Sequence, residues 1–232
     1  MAYTAALLEI ANLKSSRLIL ALDYTLNRKL ISILRTIEDY LVGVKIGVPL
    51  MIEDAIYVKE IIKKFRNLYF IADLKLADVP HIQFRLIDII SKMGFNAIIA
   101  HLFPMSIDRC IDYAHKQRLA VLGVLMMSHE GATLFEENFH RLLDYARNIQ
   151  IDGLIVGATK PEYIRRCRDI LKDVLIFSPG VIRQGAPIGE ALRYGADFEI
   201  VGRYILHSKD PLQSVLNIIE VERRVLRCRK LF

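Results

Sequence analysis

The sequence predicts an α/β chain folded as a (β/α)8 TIM barrel with a short N-terminal helix. Three observations lead there. Short β-branched runs alternate with longer amphipathic stretches, the runs number eight, and several are almost continuously apolar. The last feature suits parallel strands covered by helices. Eight strand–helix units without linkers match the barrel count. The 232-residue length is near the ~250 residues usual for that fold. Length and the lack of a linker favour one domain over residues 1–232. An open doubly wound sheet is the alternative, and it ranks lower because no GxGxxG fingerprint follows the first run.

Strands are expected at 17–23, 41–47, 68–75, 95–102, 119–126, 152–158, 173–179 and 198–202. The opening segment MAYTAALLEIANLKSS has no basic leader and contains Glu9 and Asn12. It reads as a short amphipathic helix, not a signal peptide. Helical patterns cover 27–40 and 49–66. Leu86, Ile89, Ile90 and Met93 fall at helical spacing before Gly94, which reads as a helix stop. Pro49, Pro80, Pro161 and Pro211 stand where first-turn prolines belong.

Composition narrows the function classes. The chain is 53% apolar, enough for a large core, and no apolar run reaches the ~18 residues that span a bilayer. A cytoplasmic protein without a membrane partner is expected. Cys110, Cys167 and Cys228 are odd in number and lack CxxC spacing. They read as reduced thiols, with neither a disulfide framework nor a zinc site. The net charge of +6 fits nucleic acid, an anionic substrate or nothing specific. Much of the excess lies on helical stretches, at Arg165, Arg166 and Arg168 and in the tail ERRVLRCRK. Solvated helix faces explain it, and without an RNP motif, zinc-finger spacing or a low-complexity arm no nucleic-acid partner is expected.

In a TIM barrel, functional groups gather at the C-terminal strand ends and in the loops that follow. There the sequence places Asp23, Lys45, Asp73, Lys75, Asp78, His101, Ser128 and His129, then Ser178 to Gln184, then Gly202 and Arg203. Asp73 and Lys75 are two apart on a strand and so share a face, with Phe70 and Ile71 packing behind them. Alone, the pair could be a buried structural ion pair. Lys45 on the neighbouring strand makes a Lys-Asp-Lys-Asp array at one rim, which packing does not explain. Across the mouth, SPGVIRQG and VGR follow strands 7 and 8, the loops that often build phosphate sites in this fold. Gly180, Gly185 and Gly202 let amides approach an anion, and Arg203 adds a forked donor. His101 and His129 are acid–base candidates, although a lone histidine at a strand end is more often a structural hydrogen-bond partner.

The ordered set ALD, VKIGVPL, DLKLADVP, MSHEGA, SPGVIRQG and VGR spans Arg17 to Arg203. It resembles the compact, single-domain, archaeal-like form of the orotidine 5′-monophosphate decarboxylase family. That resemblance implies conversion of orotidine 5′-monophosphate to uridine 5′-monophosphate and carbon dioxide in pyrimidine biosynthesis, with no metal and no organic cofactor. It implies that Asp23 and Lys45 hold the ribose hydroxyls, and that Asp73 lies beside the substrate carboxylate. Lys75 would protonate C6, and Asp78 would reach into the neighbouring site of a homodimer. Ser128 would read the pyrimidine edge, while Gln184 and Arg203, with Gly180 and Gly202, would grip the phosphate. Ile99, Val156 and Pro179 would form the apolar wall that receives carbon dioxide. Sister enzymes on the same barrel share DxKxxD but use magnesium, and are expected to carry Glu at the strand 2 position. Here that position is Lys45, and a cation there repels magnesium. The sequence departs from the family's compact pattern at Ile82, where a ribose-contacting threonine is usual. His81 or Gln83 could stand in for it.

Overall fold

The computed structural model describes residues 3–24 and 29–229. Eight parallel strands close in sequential order, β1 pairing with both β2 and β8. They are β1 Leu18–Leu22, β2 Gly43–Gly47, β3 Tyr69–Leu76, β4 Ala97–His101, β5 Ala120–Met126, β6 Gly153–Val156, β7 Leu175–Pro179 and β8 Phe198–Val201. Each lies in a predicted run, and β3 extends one residue past its run. Most are fully buried, because strands of a parallel barrel face side chains on one side and helices on the other.

The helices are α1 Ala5–Lys14, α2 Leu30–Ile37, α3 Val48–Glu53, α4 Ala55–Lys64, α5 Pro80–Met93, α6 Asp108–Lys116, α7 Thr133–Glu137, α8 Phe139–Asn148, α9 Pro161–Ile170, α10 Glu190–Tyr194, α11 Arg203–Leu206 and α12 Pro211–Arg229. Pro80, Pro161 and Pro211 open their helices and Pro49 sits in the first turn of α3. Gly94 ends α5 in the left-handed region at φ +94°.

The structure corrects three local expectations. The helix expected at 49–66 is two helices, broken at Asp54, whose backbone leaves the helical path while its carboxylate accepts from Tyr57 N at 2.9 Å and caps α4. The helix expected at 27–40 is seen as α2 followed by a 3₁₀ turn at Glu38–Tyr40; positions 27 and 28 lie outside the described residues. The first helix is present but less one-sided than expected. Leu7 and Ala11 are buried on the barrel, while Leu13 stands 86% exposed. Met1, Ala2 and Lys230 of the segments read from sequence lie outside the described residues.

Inside the barrel, Phe177 and Phe198 stack with ring centroids 5.1 Å apart. The barrel is therefore a filled core, and its C-terminal mouth is the place left for a ligand. No helix among the described residues is long and apolar enough to cross a membrane.

Candidate active site

Asp23 follows β1, Lys45 is central in β2 and Asp73 is in β3. Register sets Ala21 beside Lys45, Lys45 beside Ile71 and Gly47 beside Asp73. These neighbours put three charged side chains at one side of the mouth. Lys45 Nζ lies 2.6 Å from Asp73 Oδ2 and 3.7 Å from Asp23 Oδ1, and Lys75 Nζ lies 2.8 Å from Asp73 Oδ1. Each carboxylate oxygen of Asp73 thus accepts from a different ammonium. Gly47 makes room for the cluster, since a Cβ there would come within 2.2 Å of the Asp23 carboxylate.

The meeting of Asp73 and Lys75 is not the simple alternation read from sequence. The β3–β4 register shifts between Ala72 and Leu76, and Lys75 has a left-handed φ of +48°. An irregularity of this kind re-aims a side chain. A non-glycine residue held in the left-handed region costs energy that the surrounding structure must offset.

Electrostatics divides the cluster. Burial pushes the Asp73 carboxyl up, but Lys45 and Lys75 outweigh burial and hold it below its ordinary value. Asp73 is therefore an anion at neutral pH. The Lys45 side chain is 9% exposed and that of Lys75 43%, so Lys75 is the cation facing the open cavity.

That cavity is about 290 Å³. Asp23, Lys45, Asp73, Lys75, Ile99, Ser128, Pro179, Gly180, Gln184, Gly202 and Arg203 all line it. Gly180, at φ +98°, lets two walls converge, since a Cβ there would meet Gln184 Oε1 at 2.8 Å and Ser128 Cβ at 2.9 Å. The 180–186 loop is braced by Ile182 N donating to Ala186 O at 2.7 Å. Ile182 itself has φ +65°, an outlier for a β-branched residue.

Not every residue expected at the mouth lines this cavity. Val156 is fully buried away from it, and Ile155 provides the wall on β6, since neighbouring strand residues face opposite sides. Gly185, outside the lining, bends its loop at φ +104°. Asp78 does not line the cavity of its own chain. It is exposed on the β3–α5 loop, with its carboxylate accepting from Val79 N at 2.7 Å.

The sequence places Arg183 in the loop after strand 7 without giving it a role and does not single out Tyr204; together they bring a second guanidinium and a phenol to the same wall. Their positions next to Gln184 and Arg203 were the available signal. His129 lines the cavity. His101 does not; its ring lies 4.9 Å from Phe103 and 5.7 Å from Phe135, and burial, then Lys75, holds its pKa down. Gln83 cannot replace the missing threonine hydroxyl, because it is buried and its amide is bonded to Asp78, Ser106 and Cys110. His81 and Ile82 are exposed on the first turn of α5. Among the described residues, no group of three or more His, Cys, Asp or Glu side chains is placed to hold a metal ion.

Comparison with known proteins fits this geometry. The sequence profile described as "Orotidine 5'-phosphate decarboxylase / HUMPS family" matches residues 16–218. An orotidine 5'-phosphate decarboxylase of Sulfurisphaera tokodaii is 37% identical over 206 residues, 86% of this chain and 94% of that protein. The crystal structure of orotidine 5'-monophosphate decarboxylase from Sulfolobus solfataricus superposes with a TM-score of 0.80 at 31% identity, covering 91% of this chain and 99% of that one. That from Methanocaldococcus jannaschii, complexed with inhibitor BMP, has a TM-score of 0.82 at 28% identity, covering 89% and 98%. A closed barrel, a charged array on β2 and β3 and this span of similarity together place the chain in the orotidine 5'-phosphate decarboxylase / HUMPS family.

Proposed function

We propose that the whole chain acts as one decarboxylase domain, converting orotidine 5′-monophosphate to uridine 5′-monophosphate and carbon dioxide in pyrimidine biosynthesis in the cytoplasm. The observation that carries this reading is Asp73 held ionised between Lys45 and Lys75, across a small cavity from Gly180, Gln184 and Arg203. The relatives named above support the substrate. Within the family, Lys45 argues against the magnesium-using sister chemistry, since its ammonium occupies the place beside Asp73 where a metal would need oxygen ligands.

Loss of carbon dioxide from C6 leaves an sp² carbanion that the ring π-system cannot absorb. The proposed reaction uses no metal and no organic cofactor, so charge and position must lower the barrier. The substrate phosphate binds to Gln184, Arg203 and the amides of Gly180 and Gly202, and Arg183 adds a second guanidinium on that side. Asp23 and Lys45 hold the ribose, and Ser128 reads the pyrimidine. The substrate carboxylate then faces Asp73. At ~4 Å and an effective dielectric of ~20, that repulsion is about 4 kcal/mol. It disappears as neutral carbon dioxide forms against Ile99, Ile155 and Pro179, so it favours the transition state. Lys75 stabilises the developing negative charge and delivers a proton from Nζ to C6. Binding energy from the distant phosphate offsets the unfavourable contact at the reacting carbon.

In this reading the enzyme is a homodimer and Asp78 serves the neighbouring site, where it helps orient Lys75. Its exposure on the rim, outside its own cavity, supports that assignment. Lys75→Ala and Asp78→Ala, each purified alone, should be close to inactive. Mixed and allowed to exchange subunits, they should regain activity through heterodimers with one intact site. Near-normal activity of Lys75→Ala contradicts the proton-donor role, and no recovery on mixing contradicts the shared site.

A further inference from the structure

Gln83 is 1% exposed on the first turns of α5, an unusual depth for a primary amide. Every polar group of its side chain is used. Nε2 donates to the backbone carbonyl of Asp78 at 2.6 Å and to Ser106 Oγ at 3.1 Å, and Oε1 accepts from Cys110 Sγ at 3.0 Å. The amide can sit only this way round, since a flip would set its oxygen against the Asp78 carbonyl and its NH₂ against the thiol.

The bonds converge on two consecutive peptides. The Asp78 carbonyl also accepts from Ser106 Oγ at 3.3 Å, Gln83 N donates to Val79 O at 3.2 Å, and Val79 N donates to Asp78 Oδ1 at 2.7 Å. The β3–α5 loop is thus tied at consecutive residues to α5, and through Ser106 and Cys110 to the β4–α6 loop and α6. Loops of this kind are ordinarily mobile. Here the peptide that carries Asp78 is fixed from the buried side, while its carboxylate is presented outward.

We propose that Gln83 is a positioning residue for Asp78, setting the loop so that the Asp78 carboxylate reaches the reacting groups of the neighbouring site. The inference rests on the role assigned to Asp78 above. A displacement near 1 Å far from the chemistry can cost about a hundredfold in rate.

A double-mutant cycle on the full-length protein tests it, with kcat/KM for orotidine 5′-monophosphate and Tm both measured. Gln83→Leu should lower kcat/KM about tenfold to a hundredfold. Asp78→Asn should cost much less in the Gln83→Leu background than in the otherwise unaltered chain, because the carboxylate is already misplaced. A full-sized Asp78→Asn loss in both backgrounds, with Gln83→Leu changing only Tm, overturns the positioning role and leaves Asp78 in place. No Asp78→Asn effect in the unaltered chain removes Asp78 from the reaction, and the proposal with it. Ser106→Ala, a half-buried member of the same network, keeps the test open if Gln83→Leu does not fold. It should couple to Asp78→Asn in the same direction and more weakly, and strict additivity would count against the network.

Discussion

Asp73 and the pair Glu199 and Glu222 are carboxylates buried on opposite sides of one barrel wall, yet they hold protons differently. Asp73 faces the mouth and touches two ammonium groups. Glu199 lies on the outer face of β8, fully buried, and accepts from Gly189 N at 3.0 and 2.9 Å. Glu222 on α12 is equally buried, accepting from Arg17 N at 2.9 Å, while its Oε1 has no partner among the described residues. Burial raises the Glu199 carboxyl to about 7, with a smaller push from Glu190, and the Glu222 carboxyl to about 8, with a smaller push from Glu199. Burial pushes Asp73 the same way, but the two lysines reverse it. Depth alone therefore does not mark a functional carboxylate. What sets Asp73 apart is that the fold keeps it charged against its own desolvation.

The largest break in this contrast is Asp73→Asn. In the proposed mechanism it removes the repulsion of about 4 kcal/mol, and it should lower kcat about a thousandfold or more, while uridine 5′-monophosphate still binds. Retained kcat would detach Asp73 from the chemistry. Lys45→Met comes next, since it makes Asp73 more like Glu222. With one cation gone the Asp73 carboxyl titrates higher, so residual activity should fall as pH drops through that raised value. A pH–rate profile of unchanged shape would count against Lys45 as the group that keeps Asp73 ionised.

The smallest effect is on stability. In the fold, Glu199 and Glu222 keep protons at pH values where the unfolded chain, titrating near 4.5, has lost them. The native state thus binds more protons in this window, and stability falls as pH rises from about 4.5 through about 8. Glu222→Gln keeps the acceptor for Arg17 N and cannot ionise. Denaturant unfolding across that window should show a flatter pH dependence for the variant, and an unchanged slope would remove Glu222 as its source.

Most of the barrel was legible because its strands are buried on both faces and so read as apolar runs, while prolines and Gly94 marked the helix ends. Asp54 was not read as a break, because one capping residue interrupts an otherwise continuous helical pattern. The site was legible where a motif fixed the residue, as for Lys45, Asp73 and Gln184. It was misread where only strand parity decides, so Val156 was expected where Ile155 stands. The left-handed φ of Lys75 left no trace in residue type, since lysine gives no warning of it. Only its nearness to Ile82 makes Gln83 a ribose candidate in the sequence. The contacts that occupy it come from Ser106 and Cys110, distant in sequence.

The most direct test of the account is a spectrophotometric assay of the purified protein with orotidine 5′-monophosphate in excess EDTA. The account predicts loss of substrate absorbance with uridine 5′-monophosphate as product and a rate unaffected by the chelator. Folded protein that leaves orotidine 5′-monophosphate intact, or turns it over only when magnesium is restored, would contradict it.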